Sequence, residues 1–271
     1  MKIFKNKIEL LKEISNIKDI AFVPTMGSIH EGHLSLIKKA KKESKNILVS
    51  IYVNPKQFKS RLEYLKYPRS INKDIAVLKK KKIKYLYLPS FNDIYSFKPK
   101  QPIYLDKFSE DLCGKFKPKH FYGVINVVNR FIEILNPGSI FLGFKDFQQL
   151  KLIKLHVKKN GILTKVISCP TIRGKNGIAL SSRNSKLNKN QVKIAAKVYK
   201  YLKGNKKKII SKNLTKEKII FINDLILLGV NKIDYLESLN LKTLKKTKTI
   251  KEVSNIFIAY YLGRVRLIDN L

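Results

Sequence analysis

Two histidines three residues apart, His30 and His33, close the stretch Pro24-Thr25-Met26-Gly27-Ser28-Ile29-His30-Glu31-Gly32-His33. On the first turn of a helix such a pair faces one way. An imidazole near neutral pH can donate a hydrogen bond or carry a proton. The amino end of a helix is electropositive, so the pair suits a polyphosphate whose charge grows in the transition state. Gly32 between them lets a ligand approach the backbone with no Cβ in the way.

Three further groups have matching chemistry. Asn54 and Gln57 follow an apolar run, and an amide that both donates and accepts fits a small hydroxy acid with a carboxylate. Both amides are expected to reach the crevice of the histidines. Lys145 and Asp146 offer a cation for phosphate oxygens and an acceptor for ribose hydroxyls. Gln149 is expected to face Gln57 across the pocket. Ser181-Ser182-Arg183 follows a turn bearing Gly174 and Gly177, and brings hydroxyls, backbone amides and a planar fork to a triphosphate.

Elements must bring these groups together. Strand-like runs at Asp19–Thr25, Asn46–Val53, Lys84–Leu88, Ser139–Leu142 and Leu163–Cys169 alternate with helical spacing at Leu34–Lys45, Ser70–Lys82, Tyr122–Leu135 and Gln148–Lys159. Buried strands separated by helices imply a parallel sheet with right-handed crossovers. The expected fold is therefore α/β, a doubly wound, Rossmann-like amino-terminal domain. Its ligands bind at the carboxyl ends of the strands. Pro24 is expected to stop the first run. Beyond Cys169-Pro170 the texture changes to helices at Lys189–Leu202 and Lys216–Leu228 and strands near Lys232–Glu237 and Ile256–Tyr261. A smaller α+β carboxy-terminal domain is expected, giving domains 1–171 and 172–271.

The 57 basic residues outnumber 19 acidic ones, a net charge of +38. Lysines run from end to end beside many Asn and Ile, as compositional drift would leave them, whereas a nucleic-acid protein gathers its charge on one face. No specific nucleic-acid partner is expected. Only seven arginines remain, which makes them candidates for geometric roles; Arg61 and Arg130 read as surface residues. Cys113 and Cys169 are too few for a disulfide framework and read as buried small residues. No run is long enough for a membrane span, and Met1-Lys2-Ile3-Phe4-Lys5 lacks a secretory leader. A cytoplasmic location is expected.

H-x-G-H resembles the signature of the nucleotidyltransferase and class I aminoacyl-tRNA synthetase superfamily. The longer motif is similar to that of the pantothenate synthetase (pantoate–β-alanine ligase) family. Val53–Phe58, Tyr67-Pro68-Arg69, His120–Val124, Gly143–Leu150, Leu180–Asn184 and Arg266–Asn270 agree in order along the chain. The resemblance implies ATP-dependent condensation of pantoate with β-alanine through pantoyl adenylate, releasing AMP and pyrophosphate. It implies ATP with Mg²⁺ and a homodimer. It also implies that the smaller domain closes over a site in the larger one.

By the same resemblance Met26, Gly27, Ser28, Ile29, His30, Glu31, Gly32 and His33 would line ATP. Gly143, Phe144, Lys145, Asp146, Ile172, Leu180, Ser181, Ser182 and Arg183 would complete that site. His33 would donate a proton or stabilise phosphate, with His30 and Lys145 beside it in catalysis. Gln57 and Gln149 would hold pantoate, and Gln57 would also meet β-alanine. Lys73, Lys117, Phe144 and Gly174 stand where the family commonly has other residues, mostly acidic, and the Mg²⁺ ligands are not identified. Lys59–Lys66, joining Gln57-Phe58 to Tyr67-Pro68, lies where lids are found. The alternatives are another H-x-G-H nucleotidyltransferase or a basic nucleic-acid-binding protein.

Overall fold

The computed structural model describes residues 1–212, 216–247 and 253–271. They form two compact units, Met1–Pro170 and Thr171–Leu271. The first contains β1 (Lys2–Phe4), α1 (Lys7–Ile14), β2 (Ala21–Thr25), α2 (Glu31–Glu43), β3 (Ile47–Ile51), α3 (Arg61–Leu65), α4 (Ile71–Lys80) and β4 (Tyr85–Tyr87). It continues through α5 (Phe91–Tyr95), α6 (Leu112–Phe116), α7 (His120–Leu135), β5 (Ser139–Gly143), α8 (Phe147–Lys159) and β6 (Lys165–Cys169).

Six strands lie in the order β1-β4-β3-β2-β5-β6, and every pairing is parallel. From β2 the chain runs to β3 and β4 on one side and returns to β5 and β6 on the other. The switch point of this doubly wound sheet therefore lies between β2 and β5, where a crevice opens beyond the strand ends. The central strands are apolar throughout because both faces are covered: Ala21, Phe22, Val23, Leu48 and Val49 are fully buried. On one face α2 contributes Leu36, Ile37 and Ala40 to this core. Elsewhere Phe131 of α7 meets Phe22, Tyr52 and Tyr87 with ring centroids 5.2–6.3 Å apart.

Pro24 does not end its strand; β2 pairs with β3 through Thr25 and Ile51. Ala21 N–H and Thr25 C=O both bond toward β3, so alternation turns Pro24 toward β5. There the ladder extends only to Phe22 and Ile140, so Pro24 lies beyond its paired residues. The short β1 and α1, α3, α5 and α6 escape periodicity because three to eight residues hold too few repeats.

Arg130 is not a surface residue. It is 8 % exposed, its Nε donates to Asn126 Oδ1 at 2.8 Å, and Nη1 donates to the carbonyls of Ile94 and Phe97. Its fork ties α7 to the end of α5. Arg61 is exposed, Cys169 is buried and Cys113 is half-buried.

The second unit holds α9 (Lys189–Gly204), α10 (Lys206–Ser211), α11 (Lys218–Leu227) and the antiparallel strands β7 (Lys232–Asn240), β8 (Ser254–Leu262) and β9 (Val265–Asn270). Ala195, Val198, Leu202, Leu225, Leu236 and Ile258 belong to its own core. Among the described residues no helix is long and apolar enough to cross a membrane.

Candidate active site

The turn after β2 brings the histidines to the switch point. Gly27 and Ser28 have φ of +80° and +52°, a reversal that only glycine makes without strain. His30 is the N-cap of α2 and His33 its third residue. Gly32 N–H donates to His30 Nδ1 at 3.1 Å and His30 N–H to His33 Nδ1 at 3.4 Å, a capping box built from two imidazoles. The rings lie tilted at 31° to one another with centroids 4.1 Å apart.

This capping fixes the protons. Each Nδ1 accepts a backbone N–H, so the single N–H of each neutral ring lies at Nε2. Burial, then the neighbouring His30, pushes His33 down to about 3. His30 is also lowered, by burial and then by Lys145. Near neutral pH both rings are therefore uncharged hydrogen-bond donors.

A stability consequence follows. Unfolded His33 takes a proton near 6.5, whereas the native ring resists until about 3. Within that window the unfolded chain binds more protons, so stability falls as pH falls. His156, buried and bonded to Asn129 at 3.0 Å, is shifted in the same direction. Melting temperature should decline from about pH 6.5 toward 3, and His33→Asn should flatten the slope. Equal slopes in the two proteins would contradict the neutral-histidine assignment.

Gln57 ends the 3₁₀ turn Pro55–Gln57 beyond β3. Its amide nitrogen contacts Met26 Sδ, so this amide and the histidine-bearing turn occupy one neighbourhood. Parallel pairing of β2 with β3 places both loops at the same sheet edge. Asn54 does not offer its amide to a ligand. It is 1 % exposed; Oδ1 caps Lys56 N–H at 3.2 Å and accepts the Tyr95 hydroxyl at 3.0 Å, while Nδ2 donates to Gly123 C=O at 3.0 Å. His120 Nδ1 donates to Gln57 C=O at 2.7 Å. A Cβ on Gly123 would sit 2.2 Å from Lys56 C=O, so only glycine lets α7 press against this turn. His120 and Gly123 hold the backbone at Gln57, and Asn54 Nδ2 also donates to Gln57 Oε1 at 3.4 Å. They fall within the Val53–Phe58 and His120–Val124 stretches, whose hydrogen bonds to each other span more than 60 residues of sequence.

Beyond β5, Lys145 Nζ lies 3.4 Å from Asp146 Oδ1, and both act electrostatically on His30 and His33. Phe144 packs on Phe147 at 5.3 Å. The two neighbouring glutamines differ. Gln148 is buried and spent on the Phe108 and Asp111 carbonyls and Cys113 N–H. Gln149 is half-buried, with its amide uncommitted among the described residues. Among the described residues no hydrogen bond joins it to Gln57.

Within the second unit, Ile172 C=O accepts Leu180 N–H at 2.9 Å across the small hairpin closed by Arg173 and Ala179. Ser181 and Asn184 cap the 3₁₀ turn Ser182–Lys186 reciprocally. Arg173 is committed to structure: its fork grips both Asp269 carboxylate oxygens, at 2.7 and 2.8 Å, and stacks over Tyr199. The Arg183 guanidinium has no partner among the described residues.

A doubly wound sheet whose switch-point turn carries an H-x-G-H imidazole pair, with a lysine–aspartate pair beyond the neighbouring strand, defines an α/β protein with a candidate anion-binding site at its strand ends. A family model described as pantoate-beta-alanine ligase matches residues 2–271, and the chain belongs to that family. A pantothenate synthetase of Clostridium botulinum (strain ATCC 19397 / Type A) is 41% identical over 253 residues, covering 93% of this chain and 90% of its own. One from Endomicrobium trichonymphae is 38% identical over 275 residues, covering 100% and 97%. The crystal structure of pantoate-beta-alanine ligase from Francisella tularensis, complexed with beta-gamma ATP and beta-alanine, matches with a TM-score of 0.85 at 37% identity. It covers 100% of this chain and 97% of that one. Pantothenate synthetase from Thermus thermophilus matches with a TM-score of 0.90 at 29% identity, covering 100% and 99%.

Proposed function

We propose that this chain joins pantoate to β-alanine at the expense of ATP. The observation that carries the reading within this family is the contact between Gln57 and Met26. It places an amide suited to a hydroxy acid beside the turn that presents two neutral imidazole donors. The pantoate carboxylate oxygen attacks the α-phosphorus, the bond to the bridging oxygen breaks and pyrophosphate leaves with its electron pair. The β-alanine amine then attacks the acyl carbon of pantoyl adenylate, loses a proton and expels AMP.

Each role follows from charge and geometry. The Nε2–H groups of His30 and His33 donate to the phosphates; a ring held neutral to about 3 supplies hydrogen bonds and not a proton. Lys145 adds the positive charge, and Asp146 serves the ribose. Met26–His33, Gly143–Asp146, Ile172 and Leu180–Arg183 are assigned to ATP, Gln57 and Gln149 to pantoate, and Gln57 also to β-alanine. These groups position reactants and stabilise charge, so no covalent enzyme intermediate is required.

Among the described residues no three His, Cys, Asp or Glu side chains gather around a metal. Mg²⁺ that arrives on a triphosphate is held chiefly by the phosphates and needs only one or two protein carboxylates. There Mg²⁺ would neutralise phosphate charge. The family likeness also supports a cytoplasmic homodimer, which sedimentation would report at twice 31.4 kDa. The reaction itself is tested by product balance: AMP and amide should appear in equal amounts, each requiring both pantoate and β-alanine. AMP formed without amide would overturn the condensation.

A further inference from the structure

Asp74, on the first turn of α4, lies outside every role assigned above, yet it is 3 % exposed. Its Oδ2 accepts Ser28 N–H at 2.8 Å and its Oδ1 accepts Ile29 N–H at 2.7 Å. Ser70 Oγ donates to the same Oδ1 at 3.2 Å. Successive backbone N–H groups of such a turn can point into one concavity, a nest that ordinarily takes an anion. Here the protein's own carboxylate fills the nest formed after Gly27 and Ser28. A Cβ on Gly27 would stand 3.0 Å from Asp74 Oδ2, so the fit leaves no room for a side chain.

Other amides of the turn are also committed. Gly27 N–H donates to Thr25 Oγ1, and the His30 and Gly32 amides go to imidazoles. The two Nε2–H groups are among the donors that this turn leaves for a phosphate, and their direction depends on where the turn ends.

The Tyr67-Pro68-Arg69 motif braces the same turn from the other side. Pro68 C=O accepts Ser28 Oγ at 3.2 Å. Arg69 donates to the carbonyls of Tyr64, Leu65 and Tyr67 at 2.8–3.2 Å and lies 4.5 Å over the Tyr64 ring. Tyr64 and Tyr67 pack edge-on against Phe58, next to Gln57. Residues 67–74 thus run without a break from the backbone beside Gln57 to the turn that carries His30.

We infer that Asp74 is a positioning residue for the His30–His33 pair, and that residues 67–74 clamp the two halves of the proposed site in register. For its activity readout this rests on the proposed ligase reaction; its spectroscopic readout does not. Asp74→Asn keeps size but turns an NH₂ toward at least one of the two amides. Once the turn slackens, the imidazole caps loosen with it. The chain has four histidines, so ¹⁵N-histidine spectra are readily resolved.

In the wild type, His30 and His33 should show an unprotonated Nδ1 and a protonated Nε2. In Asp74→Asn they should become mixed tautomers that titrate closer to 6.5, the ordinary value. The kcat should drop about 10–100-fold, the scale of a misplacement near 1 Å, while KM for pantoate stays put. If Asp74→Asn does not fold, Ser70→Ala, which removes one of the three hydrogen bonds, should move the same signals by less. Unchanged imidazole signals in a folded variant overturn the inference whatever the activity, as do shifted signals with unaltered kcat. Should the wild type lack ligase activity, the functional proposal fails while the spectra still decide the clamp.

Discussion

Replacing His33 should cost about 10²–10³ in kcat, the scale of one lost donor to a charge that develops in the transition state. Two variants separate catalysis from folding. His33→Asn places an oxygen near Nδ1, so it can still accept the His30 N–H, but nothing remains at Nε2. His33→Ala loses both, and should also lower stability by about 1 kcal/mol, as helix-cap removals do. A group used only in the transition state lowers kcat and kcat/KM together. Steady-state kinetics should therefore show equal kcat losses in both variants, with the melting temperature falling further in His33→Ala. Because the ring is held neutral to about 3 in the free protein, no acid limb near 6.5 in the kcat/KM profile should belong to it. Near wild-type turnover in His33→Asn would remove the ring from the reaction.

The second large effect concerns pantoate. A hydrogen bond to a charged ligand contributes about 1.5–3 kcal/mol, so Gln57→Ala and Gln149→Ala should each weaken pantoate binding about 10–100-fold. ATP binding should be little altered, since the residues proposed for ATP do not include either glutamine. Gln148→Ala provides the contrast. That amide satisfies two carbonyls and an N–H in the interior, so its loss should lower stability and leave affinity intact in whatever protein folds. Calorimetry showing equal losses for pantoate and ATP in Gln57→Ala would contradict the assignment.

These contrasts mark what can be seen in a linear chain. The strand–turn–helix carrying His30 and His33 was legible because its signals are local: an apolar run followed within a dozen positions by H-x-G-H and helical spacing. The parallel sheet followed from alternation of strand and helix. Asp74, Asn54 and His120 were not legible as supports, since their partners lie 45, 69 and 63 residues away and a buried acceptor leaves no periodic trace. Arg130 was misread for a related reason. A lone charge on α7 looks solvated until Asn126 and the end of α5 are seen to enclose it. The arginine contrast was half right: Arg69, Arg173 and Arg266 do hold fixed geometry, but against the protein's own carbonyls and carboxylates.

The central claim is that the histidine pair and Gln57 serve one reaction, activation of pantoate by ATP. It is tested most directly by exchange of labelled pyrophosphate into ATP, with Mg²⁺ present and β-alanine absent. The account predicts exchange that requires pantoate, is lost in His33→Asn and is restored in Gln57→Ala at raised pantoate. A different nucleotidyltransferase would exchange without regard to pantoate, and a polyanion-binding protein would not exchange at all. Folded wild-type protein that shows no pantoate-dependent exchange would contradict the account.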